Sequence, residues 1–137
     1  MKANLATLAV IAVVVVWLAM HAGSVAWTPL KVAGAAEAGV SLVLLVVARL
    51  QLGASFSVRA KATGLVTTGL YAKIRNPIYV FSALTILGMA VVLENWFLVF
   101  LVAVLLPVQM LRARKEEAVL HEAFGEEYAR YKARTWF

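Results

Sequence analysis

A chain of 137 residues has room for one domain, here taken as 1–137. With 64% hydrophobic and 15% charged residues, it carries more apolar surface than a soluble domain of this size can bury, so lipid is the expected solvent. Its net charge of +6 comes from Lys and Arg beside the apolar runs, which points to an anionic membrane surface rather than nucleic acid; the absence of Cys excludes disulfides, thiolate metal sites and a Cys nucleophile.

The first apolar run lies between Lys2 and Lys31 and contains no charged residue. Residues 3–22 meet the length of a spanning helix, roughly 20 apolar residues. The competing reading is a secretory signal, with Lys2 as its basic end and Ser24-Val25-Ala26 as a small-residue cleavage site. A second span is expected over 29–51, started by Thr28-Pro29. It contains Glu37, which marks either a ragged helix start or a carboxylate facing the bundle interior. The linker 53–75, rich in Gly, Ser and Thr, reads as a loop. A third span follows over 76–93 and a fourth over 95–111. Only Glu94 and Asn95 separate these two, which predicts a tight helical hairpin. Pro107 lies inside the fourth and is expected to kink it or to be tolerated where neighbours satisfy the freed carbonyl.

The expected architecture is all-α: an integral membrane bundle of about four transmembrane helices with a cytoplasmic C-terminal amphipathic helix. With the N-terminus in the cytoplasm, twelve of the thirteen Lys and Arg residues fall inside and only Lys31 falls outside. Both termini are then cytoplasmic, and the linker shares a side with the tail 112–137.

That tail is rich in helix formers. Leu120, Phe124, Tyr128 and Tyr131 recur at helical spacing and form an apolar stripe, with a bend expected at Phe124-Gly125. Glu116 and Glu117 border the stripe near the membrane exit, where a carboxylate is costly without a cation. Arg112 precedes Glu116 by four residues and offers a local ion pair; His121 follows Glu117 by four. At the entrance to the third span stands Arg75-Asn76-Pro77-Ile78-Tyr79. As a plain helix start, Asn76 caps, Pro77 fills the first turn, Arg75 snorkels and Tyr79 is an interface aromatic. The topology brings this stretch near Glu116 and Glu117.

Gly69-Leu70-Tyr71, then Arg75-Asn76-Pro77-Ile78-Tyr79, then Arg112-x3-Glu116-Glu117-x2-Leu120-x3-Phe124-Gly125-x2-Tyr128-x2-Tyr131 resembles the isoprenylcysteine carboxyl methyltransferase family, which belongs with the phospholipid methyltransferases. The resemblance covers roughly residues 50–134 and leaves the first two spans without a signature. It implies S-adenosylmethionine as methyl donor and a lipophilic acceptor: a prenylcysteine-like carboxylate, a phospholipid amine or another membrane-soluble nucleophile. Carried over by position, Tyr71, Arg75, Asn76, Tyr79, Arg112, Glu116, Glu117 and His121 become candidate donor-site residues. Glu116, Glu117 and Arg75 are the candidate catalytic groups. Gly88 is counted with the donor-site residues, as a position that could allow close backbone approach within the third span. Two positions depart from the family pattern: Phe81 stands where Gly is frequent, and the tail stops at Thr135-Trp136-Phe137.

The chemistry agrees with that implication. An Arg can take the donor's carboxylate and a Glu its ammonium or ribose hydroxyls, while Tyr faces suit a sulfonium. No Gly-x-Gly-x-x-Gly follows a strand, so a Rossmann-type site is not offered. The rival readings are a four-helix cation or drug transporter using Glu37, a nicotinamide-dependent membrane reductase and a non-catalytic scaffold.

Overall fold

The computed structural model describes residues 16, 19–53 and 65–137. Most of the expected first span, and Arg59 and Lys61 of the linker, lie outside the described residues. The described chain is helical: a 3-10 turn at Ala22–Ser24, helix α1 (Pro29–Leu52), a 3-10 turn at Gly69–Ala72, then α2 (Pro77–Leu93), α3 (Trp96–Phe124) and α4 (Glu126–Arg134). No strand forms among the described residues; an isolated parallel bridge joins Ile74 to Trp136.

α1 starts as its sequence dictates. Pro29 occupies the first turn, and the Thr28 hydroxyl accepts a bond from the Lys31 N–H at 3.3 Å. It ends at Gly53, whose φ of +47° suits a residue without Cβ. Glu37 therefore does not mark a ragged start. It lies in the third turn of a regular helix.

The α1 residues that α1 buries are Gly34, Ala38, Ser41, Leu45 and Ala48. Their alternating spacing of four and three makes a narrow seam, and four of the five are small. α2 buries Pro77, Phe81, Thr85 and Gly88 on its own seam. Small side chains let the two backbones approach closely, as membrane helices without a hydrophobic drive between them require. A Cβ built on Gly88 would collide with Glu37 Oε2 and would lie 2.7 Å from Gly34 O and 2.8 Å from Ala38 N. The hydroxyls in the seam are satisfied locally. Thr85 donates to Phe81 O at 2.7 Å, and Ser41 donates to Glu37 Oε1 at 2.7 Å. Phe81, the departure from the family's Gly, is a buried α2 residue.

α1 and α2 run antiparallel, which the ends confirm. Lys31 at the start of α1 pairs with Glu94 at the end of α2, at 3.2 Å. At the opposite end, Gln51 Oε1 accepts the Leu70 N–H at 2.8 Å, just before α2 begins. We refer to the two ends of the bundle as the Glu94 end and the Arg75 end.

The α2–α3 connection is the expected tight hairpin. Glu94 takes a left-handed conformation (φ +50°), its N–H returns to Ala90 O and Val91 O, and Asn95 Oδ1 caps α3 by accepting the Phe97 N–H at 3.0 Å. α3 is 29 residues long and runs through Pro107 and past Arg112. At about 1.5 Å per residue it measures about 43 Å, longer than the roughly 30 Å hydrocarbon core. The charged turns after Arg112 are thus an extension of the same helix. α1 and α3 are each long and apolar enough to cross a membrane, and only 22% and 11% of their apolar windows are buried inside the protein. Helices so little covered by protein are not core helices of a soluble fold. α2 is a shorter apolar helix of 17 residues.

Gly125 ends α3 with φ +50° and its N–H on His121 O at 2.8 Å. The chain turns there, as expected, and α4 packs back. The expected stripe is consequently divided between two helices: Leu120 and Phe124 are half-buried on α3, while Tyr128 and Tyr131 are buried on α4.

Candidate active site

The site forms at the Arg75 end, where four segments converge. Gly69, with φ +62°, opens the turn that delivers Tyr71. Tyr71 is 6% exposed. Its backbone carbonyl accepts the Tyr131 hydroxyl at 2.7 Å, which ties α4 to the turn. Its own hydroxyl is buried and has no hydrogen-bond partner. Burial pushes that phenol well above its ordinary range, with Arg49 pulling it back and Tyr131, Glu116 and Tyr79 adding to the rise. Tyr71 is therefore a neutral donor at working pH, not a base.

Arg75 is far from a snorkelling side chain. Its guanidinium is 17% exposed and makes three bonds. Nε donates to Glu117 Oε1 at 3.0 Å, and Nη1 donates to Lys132 O at 3.3 Å and to Thr135 O at 3.1 Å. Glu117 receives a second cation, Lys132 Nζ, at 2.8 Å. One carboxylate between two cations, 20% exposed, is the arrangement that makes a juxtamembrane Glu tolerable.

The partner of Glu116 differs from the expected Arg112. Glu116 Oε1 accepts the Tyr79 hydroxyl at 2.9 Å. Tyr79 is one turn into α2 and Glu116 is on α3, so this bond crosses helices and fixes the rotation of one against the other. Arg112 is exposed and makes no ion pair among the described residues. His121 stacks edge-on against Tyr128 with ring centroids 6.4 Å apart; Glu117 is satisfied by Arg75 and Lys132 instead.

Asn76 occupies the N-cap position, but its side chain makes no capping bond. Its backbone N–H is taken by Phe137 O at 2.8 Å, next to Arg75 N–H on Trp136 O at 3.1 Å and Trp136 N–H on Lys73 O at 2.9 Å. The Tyr79 N–H that a capping side chain could take goes instead to the Asn76 backbone carbonyl at 3.1 Å. Gly88 is separate from this cluster. It lies eleven residues beyond Pro77, about 16 Å along the helix, against Gly34 and Ala38. It allows close backbone approach as expected, though toward α1.

Several contributors were not picked out from the sequence. Arg49, near the end of α1, lies within electrostatic reach of both Tyr71 and Tyr79. Lys132 and the carbonyl of Thr135 hold Arg75 and Glu117. Gln51 holds the turn that presents Tyr71. An Arg at the membrane end of a span and a Gln beside it were the only signals available for the α1 residues.

The Tyr131→Phe variant isolates the α4 tie. It removes one hydroxyl and leaves the Tyr71 carbonyl without its partner in a buried setting. The expected loss is about 1–3 kcal/mol, read as a lowered midpoint in thermal unfolding in detergent, with α4 more exposed to protease. An unchanged midpoint and digestion pattern would show that the bond carries no weight.

A sequence model described as phospholipid methyltransferase matches residues 30–127, well over half of the chain. The chain belongs to this family. The match begins at Leu30, so it reaches back through α1, a helix in which the motifs alone had shown no signature. It ends at Glu127, after the Glu116-Glu117 pair and the Gly125 bend. No curated protein matches the chain significantly. As a member of the phospholipid methyltransferase family, the protein is a membrane methyltransferase. Tyr71, Arg75, Tyr79, Arg112, Glu116 and Glu117 lie together at one end of its bundle.

Proposed function

We propose that this protein transfers a methyl group from S-adenosylmethionine to a lipophilic acceptor at the Arg75 end of the bundle. The observation that carries the reading is the crossing of the Arg75-Asn76-Pro77-Ile78-Tyr79 stretch with the Glu116-Glu117 pair, through the bonds Arg75–Glu117 and Tyr79–Glu116. The distribution of Lys and Arg supports four spans with both termini cytoplasmic, a topology in which this end faces the cytoplasm, where the donor is found.

The residues present fit a zwitterionic donor. The Tyr71 hydroxyl is buried with no partner, an arrangement that calls for a hydrogen-bonding ligand. Arg112 has no ion pair among the described residues and can take a carboxylate in a forked bond. Glu116 has one oxygen beyond the Tyr79 bond for an ammonium or a ribose hydroxyl. The faces of Tyr71 and Tyr79 favour a cation. Arg75, Glu117 and Lys132 act differently: they pair with one another and form the wall that holds α2, α3 and α4 together. The bound donor would supply an electrophilic methyl on sulfur.

Methyl transfer is an in-line displacement, so the protein's main task is alignment. The Tyr79–Glu116 bond sets the helix rotation that would align the two substrates. A carboxylate acceptor needs no base; an amine that arrives protonated does, and Glu116 is the nearest carboxylate not already held by two cations. A lipophilic acceptor would enter from the bilayer between helices.

The test is isothermal titration of the protein in detergent with S-adenosylmethionine. Wild type should bind, and Arg112→Ala and Glu116→Ala should each weaken binding by about tenfold or more. No binding by the folded wild type, or equal binding by both variants, overturns the reading. Mass spectrometry of methylated products from membrane lipids, prenylated thioethers and amines would then name the acceptor.

A further inference from the structure

We infer that Gln109 is an acceptor-recognition residue, whose side-chain oxygen takes a hydrogen bond from an N–H or O–H of the lipophilic molecule being methylated. This inference rests on the methyltransferase reading.

Between Asn95 and Arg112, α3 contains no charged residue and no Ser, Thr, Asn or Gln except Gln109. A primary amide in such a stretch is costly unless it is used. Its Oε1 is buried and has no hydrogen-bond partner. The α3 residues withdrawn from the surface include Val102, Leu105, Gln109, Ala113, Glu117 and Leu120, a helical stripe at spacings of three and four. Gln109 therefore stands on the same helix face as Glu117. Glu116 follows it by seven residues, which returns to almost the same direction.

The offset along that face decides what Gln109 can meet. Glu116 lies about 10 Å and Glu117 about 12 Å along α3 from it, beyond the boundary at Arg112 where the helix becomes charged. Gln109 is on the apolar side of that boundary. A polar donor held by charged groups occupies the outer level. A lipophilic acceptor occupies the inner level, and its polar group must find a partner there. The orphan oxygen of Gln109 is such a partner, and as an acceptor it selects a group that carries hydrogen.

Glu37 Oε2 is also buried without a partner, but it is not an equivalent candidate. It lies so close to Gly88 that even a methyl group there would collide with it. No ligand atom fits between them.

The chain has only two glutamines, Gln51 and Gln109, so glutamine-selective carbon-13 labelling gives two side-chain carbonyl signals. The Gln51 signal, already hydrogen-bonded to Leu70, serves as the internal reference. The protein in detergent is first saturated with S-adenosylhomocysteine, then titrated with dioctanoyl phosphatidylethanolamine or with N-acetyl-S-farnesylcysteine. Each probe carries N–H groups, and the two arms separate a phospholipid amine from a prenylcysteine.

At least one probe should shift the Gln109 carbonyl downfield and leave Gln51 in place. Gln109→Leu should weaken that probe's binding by about tenfold and leave S-adenosylhomocysteine affinity within about twofold. Gln109→Glu, which retains an acceptor oxygen, should restore most of the probe's affinity. The inference is overturned if neither probe moves the Gln109 signal, if Gln109→Leu binds the probe as well as wild type, or if it loses the donor analogue instead. Absence of S-adenosylhomocysteine binding with the Gln109 shift intact removes the methyltransferase reading and leaves the recognition site standing.

Discussion

Arg75→Ala is expected to weaken the Arg75 end of the bundle by about 2–4 kcal/mol and to abolish measurable donor binding. The side chain makes three bonds, to Glu117 on α3, to Lys132 on α4 and to Thr135 just beyond it. Its removal does not strand Glu117 entirely, because Lys132 Nζ remains 2.8 Å away. This keeps the loss below that of a fully unpaired buried carboxylate. Arg75→Lys should recover little, since an ammonium cannot present the planar fork that reaches Nε and Nη1 acceptors together. Lys132→Ala should cost at most about 1 kcal/mol, because that side chain is half exposed. Urea unfolding in a fixed detergent measures all three, with a double-mutant cycle between Arg75→Ala and Glu117→Ala. Arg75 and Glu117 in contact predict a coupling of about 1–2 kcal/mol. Strict additivity would show that the pair is incidental to stability.

The second large effect lies at the other level of the bundle. Gly88→Ala adds a single methyl group, yet two of the atoms it meets are backbone: Gly34 O at 2.7 Å and Ala38 N at 2.8 Å. Backbone cannot swing aside as a side chain can, so α1 and α2 must separate. The expected cost is about 3 kcal/mol, at the upper end for overpacking. Removing the third obstacle with Glu37→Ala should not rescue the variant, because the backbone contacts remain. Gly34→Ala meets Val91 Cγ1 at 2.8 Å, Val91 Cβ at 2.9 Å and Gly88 O at 3.0 Å, and should be milder because its contacts are longer and only one is with a main-chain atom. Gly39→Ala, with nothing within 4 Å, should be neutral or slightly stabilising, since it exchanges a flexible residue for a good helix former. The ranking Gly88 > Gly34 > Gly39 in lost thermal midpoint is the prediction. A Gly88→Ala protein as stable as wild type would mean that the helices do not approach this closely.

The parts of this structure that sequence made legible are those set by local chemistry. Thr28-Pro29 marks a helix start, and the pair Glu94-Asn95 is too short for anything but a hairpin. Gly125 breaks a run of helix formers, and its positive φ is the reason. The meeting of Arg75 with Glu117 was also within reach, because charge asymmetry and the motifs put both at one face. Three things were not legible, each for the same reason. Asn76 has the right residue type for a cap, but its backbone carbonyl rather than its side chain takes the Tyr79 N–H, while the Phe137 carbonyl takes the Asn76 N–H. Arg112 has the right spacing for Glu116, but Tyr79 from another helix takes that carboxylate. Glu37 bonds Ser41 one turn on through Oε1, but its other oxygen lies against Gly88, more than fifty residues away. Local rules state what a side chain can do, and tertiary contacts decide which option is taken. Gln109 was legible in kind, as a lone amide in an apolar helix, but it belongs to no motif.

The three bonds of Arg75 also have a consequence for biosynthesis. The carbonyls that receive Nη1 lie 57 and 60 residues further along the chain, and Glu117 lies 42 residues further. During synthesis α1 and α2 can pair early, since both precede those partners. Arg75 then stands at the edge of a paired helical hairpin with nothing from its own chain to hold it. α3 then supplies Glu117, and α4 with Thr135 closes over the guanidinium afterwards. Synthesis order thus separates the pairing of α1 with α2 from completion of the Arg75 wall, which waits for α3 and α4.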